Sequence, residues 1–290
     1  MDELRAQALK YSDYYTESKR GATMKNYQKI SLLVTATMLA ITLTACSGTV
    51  NKFTDKTIIG EGSGSGEVVS KGKHSFEADE FGSLKVVTEA MLIDIVRSQS
   101  EKAEVELLTD SKVVKDITFN VAIKKDVLEI ETKEKNSKII GDNRGERRLI
   151  IALPEKQYDK VTINNNFGAI KGTQLHANSL HVKIDAGSIR LSDVAGAIKA
   201  ETATGDIELN GINLDNDLVA KTEVGTIRVK LNESPAAASV SLKSEVGSVT
   251  SHLETLEYTA NTKREITGTI GTNGPRLEAS VAVGSVTIDV

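Results

Sequence analysis

Between residues 168 and 286 the chain repeats one short unit: Gly, any residue, then Ile or Val. The unit occurs as Gly168-Ala169-Ile170, Gly187-Ser188-Ile189, Gly196-Ala197-Ile198, Gly205-Asp206-Ile207, Gly225-Thr226-Ile227, Gly247-Ser248-Val249, Gly268-Thr269-Ile270 and Gly284-Ser285-Val286. With Gly196 set aside, successive glycines stand 19, 18, 20, 22, 21 and 16 residues apart. Gly196 divides one step into 9 and 9, as two similar halves of a turn would. A recurrent period near 20 residues is the signature of stacked coils. Around the glycines, stretches such as Leu180-His181-Val182-Lys183-Ile184 alternate apolar and polar residues, which is strand periodicity. One coil cannot bury its own apolar face, so neighbours stack and bury a continuous column. Glycine permits the tight turn or close backbone approach between strands. Lys183, Arg190, Lys199, Glu201, Glu208 and Arg228 are expected on the solvent side. Coils stacked in chain order would leave the final strand, Ser285 to Val290, on an edge that needs a cap or partner.

Upstream, residues 83–153 also alternate, through Leu84, Val86 and Thr88, Ile93 and Ile95, Val105 and Leu107, then Ile117 to Ile123 and Val127 to Ile130. A last run, Leu149 to Leu153, is stopped by Pro154. Aromatic residues make up only 4% and Trp is absent, so the core must come from Val, Ile, Leu and Ala. The expected fold is all-β: irregular strands over 73–154, then a β-solenoid-like array of Gly-punctuated strands over 155–290, forming one domain over 73–290.

The N-terminal part carries a different signal. From Met24 a basic region with Lys25 and Lys29 leads into the apolar run Ile30 to Ala45 and then Cys46. That run is shorter than the roughly 20 residues a spanning helix needs. It reads as a secretory signal over 24–45. Leu43-Thr44-Ala45-Cys46 resembles the bacterial lipobox, in which the Cys thiol takes a diacylglyceryl group. Acyl chains, palmitate among them, would give a stable anchor at about 0.8 kcal/mol per buried CH₂. Residues 46–72, with Gly60-Glu61-Gly62-Ser63-Gly64-Ser65-Gly66, have the composition of a flexible linker. Residues 1–23 are expected to be a mis-assigned start or an extension before Met24. Ser47 is compatible with outer-membrane sorting in a two-membrane cell, or with the single membrane of a one-membrane cell.

Chemistry is sparse in the sequence. The single Cys rules out a disulfide scaffold. The four His are dispersed, and the odd offset between His176 and His181 places them on opposite strand faces. After Cys46 the chain has 30 Lys and Arg against 36 Asp and Glu, an acidic balance that argues against nucleic acid. Asp185, Asp193, Glu201, Asp206 and Glu208 are the carboxylates from which a glycan-cleaving pair would be drawn. Ordinary outward strand and turn positions account for them equally. Gly205-Asp206 and Asp215-Asn216-Asp217 lack the rest of a calcium loop and read as turns. Asn164-Asn165-Asn166 fits either a polar ladder between coils or a turn. Arg144, Arg147 and Arg148, with Glu146 among them, form a compact basic group, a solvated loop or a contact for anionic polymer or lipid headgroups. No catalytic residue, metal or cofactor is expected.

The stretch from Leu149-Ile150-Ile151-Ala152-Leu153-Pro154 through the Gly-x-Ile units resembles the bacterial putative-adhesin domain family of unknown function. Gly64-Ser65-Gly66-Glu67-Val68-Val69 and Phe81-Gly82-Ser83-Leu84-Lys85-Val86 resemble the related head-domain adhesin family. Together these cover roughly residues 64–290, and the resemblance implies a repeat β fold with no known catalytic residues. The expected protein is a lipid-anchored, extracytoplasmic lipoprotein of the cell or outer membrane, carrying a non-catalytic binding, adhesin or scaffold domain. Its partners would be the membrane, through the lipid anchor, and an envelope polymer or membrane protein. A regulatory lipoprotein of envelope stress and a carbohydrate-active β-helix enzyme are the alternatives.

Overall fold

Alternating β-branched and polar residues become strands along almost the whole described chain. The computed structural model describes residues 66–135 and 145–290. Its strands are β1 (Val68–Glu77), β2 (Ser83–Arg97), β3 (Lys102–Asp110), β4 (Ile117–Lys124), β5 (Val127–Glu134), β6 (Arg147–Leu153), β7 (Gln157–Thr173), β8 (His176–Ser192), β9 (Ala195–Thr204), β10 (Ile207–Ile212), β11 (Leu218–Leu231), β12 (Ala238–Ser251), β13 (Glu257–Asn261), β14 (Glu265–Ile270) and β15 (Arg276–Asp289). A 3-10 turn at Ala78–Glu80 separates β1 from β2. β1 opens at Val68, inside the stretch whose composition suggested a linker. No helix among the described residues is long and apolar enough to cross a membrane.

The long strands bend at their glycines, and each bend divides a coil between two sheet faces. Gly168 stands opposite Gly187, and Gly284 stands between Gly225 and Gly247. β9 and β10 are one coil interrupted at Gly205: β9 pairs with the first halves of β8 and β11, β10 with their second halves. Met91 of β2 lies opposite Gly168, so β2 is the first coil although it lacks the glycine. The first halves form one face, which β5 and β4 extend beyond β2 and β14 and β13 extend beyond β12. The second halves form the other face, extended beyond β2 by β6, β3 and β1.

The core lies between the faces as stacked columns. Ile93, Ile170, Ile189, Ile207, Ile227, Val286 and Val249 occupy equivalent positions on successive coils, and all are buried. Burial of each such side chain contributes about 1.5–3 kcal/mol at most. Leu175, Val194 and Ile212 sit in or beside the turns between coils and close the core on the side away from the glycines.

Three sequence expectations are corrected. First, the coils are not stacked in chain order. The last strand, β15, lies between β11 and β12, paired along its length on both sides. It therefore has no open edge. The array instead ends at β12, whose outer side is covered by antiparallel β14 and by hydrogen bonds from Ser244 N to Arg264 O and Val249 N to Lys263 O. Second, Gly268 is not a coil corner: β14 runs antiparallel, and Gly268 pairs with Val240 and Tyr258. Gly196 does separate two halves of a coil, one on each face, but it lies beside the turn between coils and not at a corner of the glycine column. It opens β9 at φ 115°, against the backbone of Ala177. Third, His176 and His181 both lie on the outer side. Ala177 and Leu180 are both buried, so β8 shifts phase between the two histidines, where its pairing with β9 is irregular.

Candidate functional site

Each corner is built from backbone and small side chains. The glycines of the column have φ between 122° and 149°, a region that side-chain-bearing residues rarely adopt. A Cβ on Gly225 would overlap the Gly205 carbonyl oxygen, so the coils touch backbone to backbone there. Three residues before several of these glycines stands a buried polar side chain: Asn165, Thr202, Thr222 and Ser244, with Thr88 equivalent on β2. Asn165 Nδ2 donates to Met91 O (2.9 Å) and Phe167 O (2.8 Å), and Oδ1 accepts from Thr88 Oγ1 (2.8 Å). Ser244 Oγ donates to Gly284 O at 2.9 Å. Thr222 Oγ1 donates to Gly205 O at 3.2 Å. Asn165, Thr222 and Ser244 thus satisfy backbone carbonyls at the bend, and Thr88 braces Asn165. Of the asparagine run, Asn165 is therefore part of a polar ladder between coils, while Asn166 is exposed. Sequence reading passed over the Thr and Ser members, whose only signal was their fixed offset from glycine.

The carboxylates singled out in the sequence are not gathered into one place. Glu201 is on the outer side of the first face, 3.0 Å from His181 Nε2 and 2.9 Å from Lys199 Nζ. Burial pushes its pKa up, but the hydrogen bonds from Lys199 and His181 outweigh this and hold it below the usual value. Glu208 is on the second face, 3.4 Å from Arg190 Nε. Asp206 Oδ1 accepts from Thr226 N at 2.8 Å. Asp193 occupies an inter-coil turn at φ 54°, and Asp185 stands at a corner. Opposed carboxylates flanking a substrate bond, as glycoside hydrolysis needs, do not arise from Glu201 and Glu208 on opposite faces.

The first face holds a cleft of about 280 Å³ between β8, β9, β11 and β15. Ala197, Ile198 and Val219 line its apolar part, and Lys199, Lys221, Arg276, Asp217 and Glu278 its charged part. The charges brace one another: Lys221 Nζ to Glu278 at 2.6 Å, Arg276 to Glu278 at 3.2 Å and to Asp217 at 3.7 Å. Its lining comes from four strands that are not consecutive in space and sequence together, which is why no local motif announced it.

The two described arginines of the basic group are also neutralised. Arg147 pairs with Glu134 at 3.0 Å, both side chains nearly buried, and Arg148 lies 3.4 Å from Asp94 and 2.9 Å from Glu146. Burial raises the Asp94 pKa even with Arg148 and Lys171 beside it. Arg144, Leu43, Thr44, Ala45 and Cys46 lie outside the described residues. Among the described residues no cluster of three or more His, Cys, Asp or Glu is arranged to hold a metal. Near the first coil, Lys156 Nζ donates to the carbonyls of Ala78 and Phe81 and sits 4.4 Å from the Phe81 ring centroid and 4.9 Å from that of Tyr158. It anchors the 3-10 turn against β7.

Similar folds are known. A putative cell adhesion protein from Clostridium sporogenes is 14% identical, with 77% of this chain and 99% of that chain covered and a TM-score of 0.50. A putative adhesin from Bacteroides fragilis is 13% identical over 78% of this chain and 98% of its own, with a TM-score of 0.34. At these identities the first likeness concerns the fold alone. No curated protein matches the chain. Residues 159–289 match the family model described as Toastrack DUF4097. Residues 159–289, from within β7 to the end of β15, thus carry the match to the Toastrack DUF4097 domain, the unknown-function family that the Gly-x-Ile units resemble.

Proposed function

We propose that the protein is an extracytoplasmic lipoprotein, tethered through Cys46, whose Toastrack array is a non-catalytic binding or scaffold module. One observation carries the reading of the array. Its corners hold seven coils in register, so the outward side chains recur in straight lines across the strands, as a recognition surface requires. Most charges on the two faces are committed to ion pairs rather than grouped around a reaction centre. The tether rests on the basic region, apolar run and Leu43-Thr44-Ala45-Cys46 order of the sequence. Labelled palmitate should enter the wild-type chain, and the protein should follow the detergent phase. Cys46→Ala should abolish both. Detergent partitioning that survives this substitution would refute the anchor.

A further inference from the structure

Where each coil bends, the two residues before the glycine both face outward. In β11 these are Glu223 and Val224, in β12 Glu245 and Val246, in β15 Ala282 and Val283, and in β8 Asp185 and Ala186. Val224, Val283 and Val246 are 45%, 47% and 62% exposed and stand opposite one another on three adjacent coils. They form an apolar ridge. Beside it runs a line of carboxylates, Asp185, Glu223 and Glu245, on every second coil, with Ala203 and Ala282 between. Among the described residues neither Glu223 nor Glu245 has a cation within ion-pairing distance, and Asp185 has only Lys183 at 3.9 Å.

Adjacent coils are about 4.8 Å apart, so these carboxylates repeat every ~9.6 Å. A polyproline II chain rises 3.1 Å per residue with three residues per turn, so one of its edges repeats every ~9.3 Å. An extended strand repeats its face every ~6.8 Å and a helix every 5.4 Å, and neither keeps step with the line. Anionic lipid headgroups and phosphates are repelled by it. A cationic glycan could meet the carboxylates, but it brings no aliphatic side chains to the valines.

We infer that the corner ridge docks a basic polypeptide segment in polyproline II form, lying across the coils with a cation at every third residue and apolar side chains on the valines. The inference rests on the binding-module reading and names the partner's chemistry.

The test titrates the full chain with a fluorescent peptide of four Lys-Val-Pro repeats. Binding should weaken with salt and fall at least tenfold for the E223Q/E245Q variant. It should fall severalfold for V224T/V246T/V283T, which keeps β-branched residues on the strands; far-UV circular dichroism checks that both variants stay folded. Repeats of Lys-Ser-Pro should bind more weakly, and repeats of Glu-Val-Pro should not bind. Unchanged affinity in both variants, equal affinity for the Lys-Ser-Pro peptide, or tighter binding of a chitosan oligomer would overturn the inference. Palmitate labelling of Cys46 does not depend on these substitutions, so failure here leaves the anchored-module reading standing.

Discussion

A single methyl group is enough to test the corner column. Gly225 combines φ 149° with the Gly205 carbonyl oxygen where a Cβ would stand. Gly225→Ala should cost about 3 kcal/mol or more, since it adds backbone strain to a clash with rigid backbone. A loss under about 1 kcal/mol in urea denaturation would mean that the coils do not touch there. The opposite change is expected at Thr255, a β-branched residue at φ 59°. Thr255→Gly should stabilise by about 1 kcal/mol, read as a raised melting temperature. Asp94 makes a pH prediction. Burial raises its native pKa above the ordinary 3.8, so its contribution is full below that value and is lost as pH rises through the native pKa. Asp94→Asn should therefore gain on the wild type as pH rises across this window. Parallel urea midpoints at low and neutral pH would expose the error. The glycines and the alternation were legible from sequence because they act locally. The raised pKa of Asp94 was not, since it depends on burial by strands that are distant in sequence and outweighs the opposing charges of Arg148 and Lys171.

Among the elements, strand order is the feature that sequence left undecided. The corners of β11, β12 and β15 read Val224-Gly225-Thr226-Ile227, Val246-Gly247-Ser248-Val249 and Val283-Gly284-Ser285-Val286. Their ladder contacts are interchangeable, so each could neighbour either of the others. What separates them is β14, which occupies the outer side of β12 and leaves β15 the space between β12 and β11. Cysteine cross-linking on a Cys46→Ala background tests this order. Arg228 and Thr287 are opposite one another, as are Thr287 and Thr250. The pairs Arg228→Cys/Thr287→Cys and Thr250→Cys/Thr287→Cys should form disulfides, being about 4.8 Å apart. Arg228→Cys/Thr250→Cys, two strands apart, should not. A disulfide in that third variant would restore the chain-order stack. The same limit explains the histidines: a phase shift inside β8 follows from packing against β9, not from spacing.

Across the whole array, each coil touches mainly its neighbours, so stability is close to a sum of coil and interface contributions. Ile207 lies in a middle coil and is fully buried. Ile207→Ala should cost about 2–5 kcal/mol, and hydrogen exchange should accelerate most in β8 to β11 and least in β1 and β3. Uniform acceleration from β1 to β15 would contradict a neighbour-coupled array. By itself the sequence determined that the chain is all-β, that glycines set a coil period and that Val, Ile and Leu fill the core. Those properties follow from backbone sterics and two-residue periodicity, which act over a few residues. Tertiary structure alone decided which coils adjoin, placed Glu201 and Glu208 on opposite faces and paired Arg147 and Arg148 with acids. It also aligned Asp185, Glu223 and Glu245 beside the valine ridge. These outcomes depend on pairings between strands far apart in the chain, where local patterns are alike and only the packing of the whole array distinguishes them.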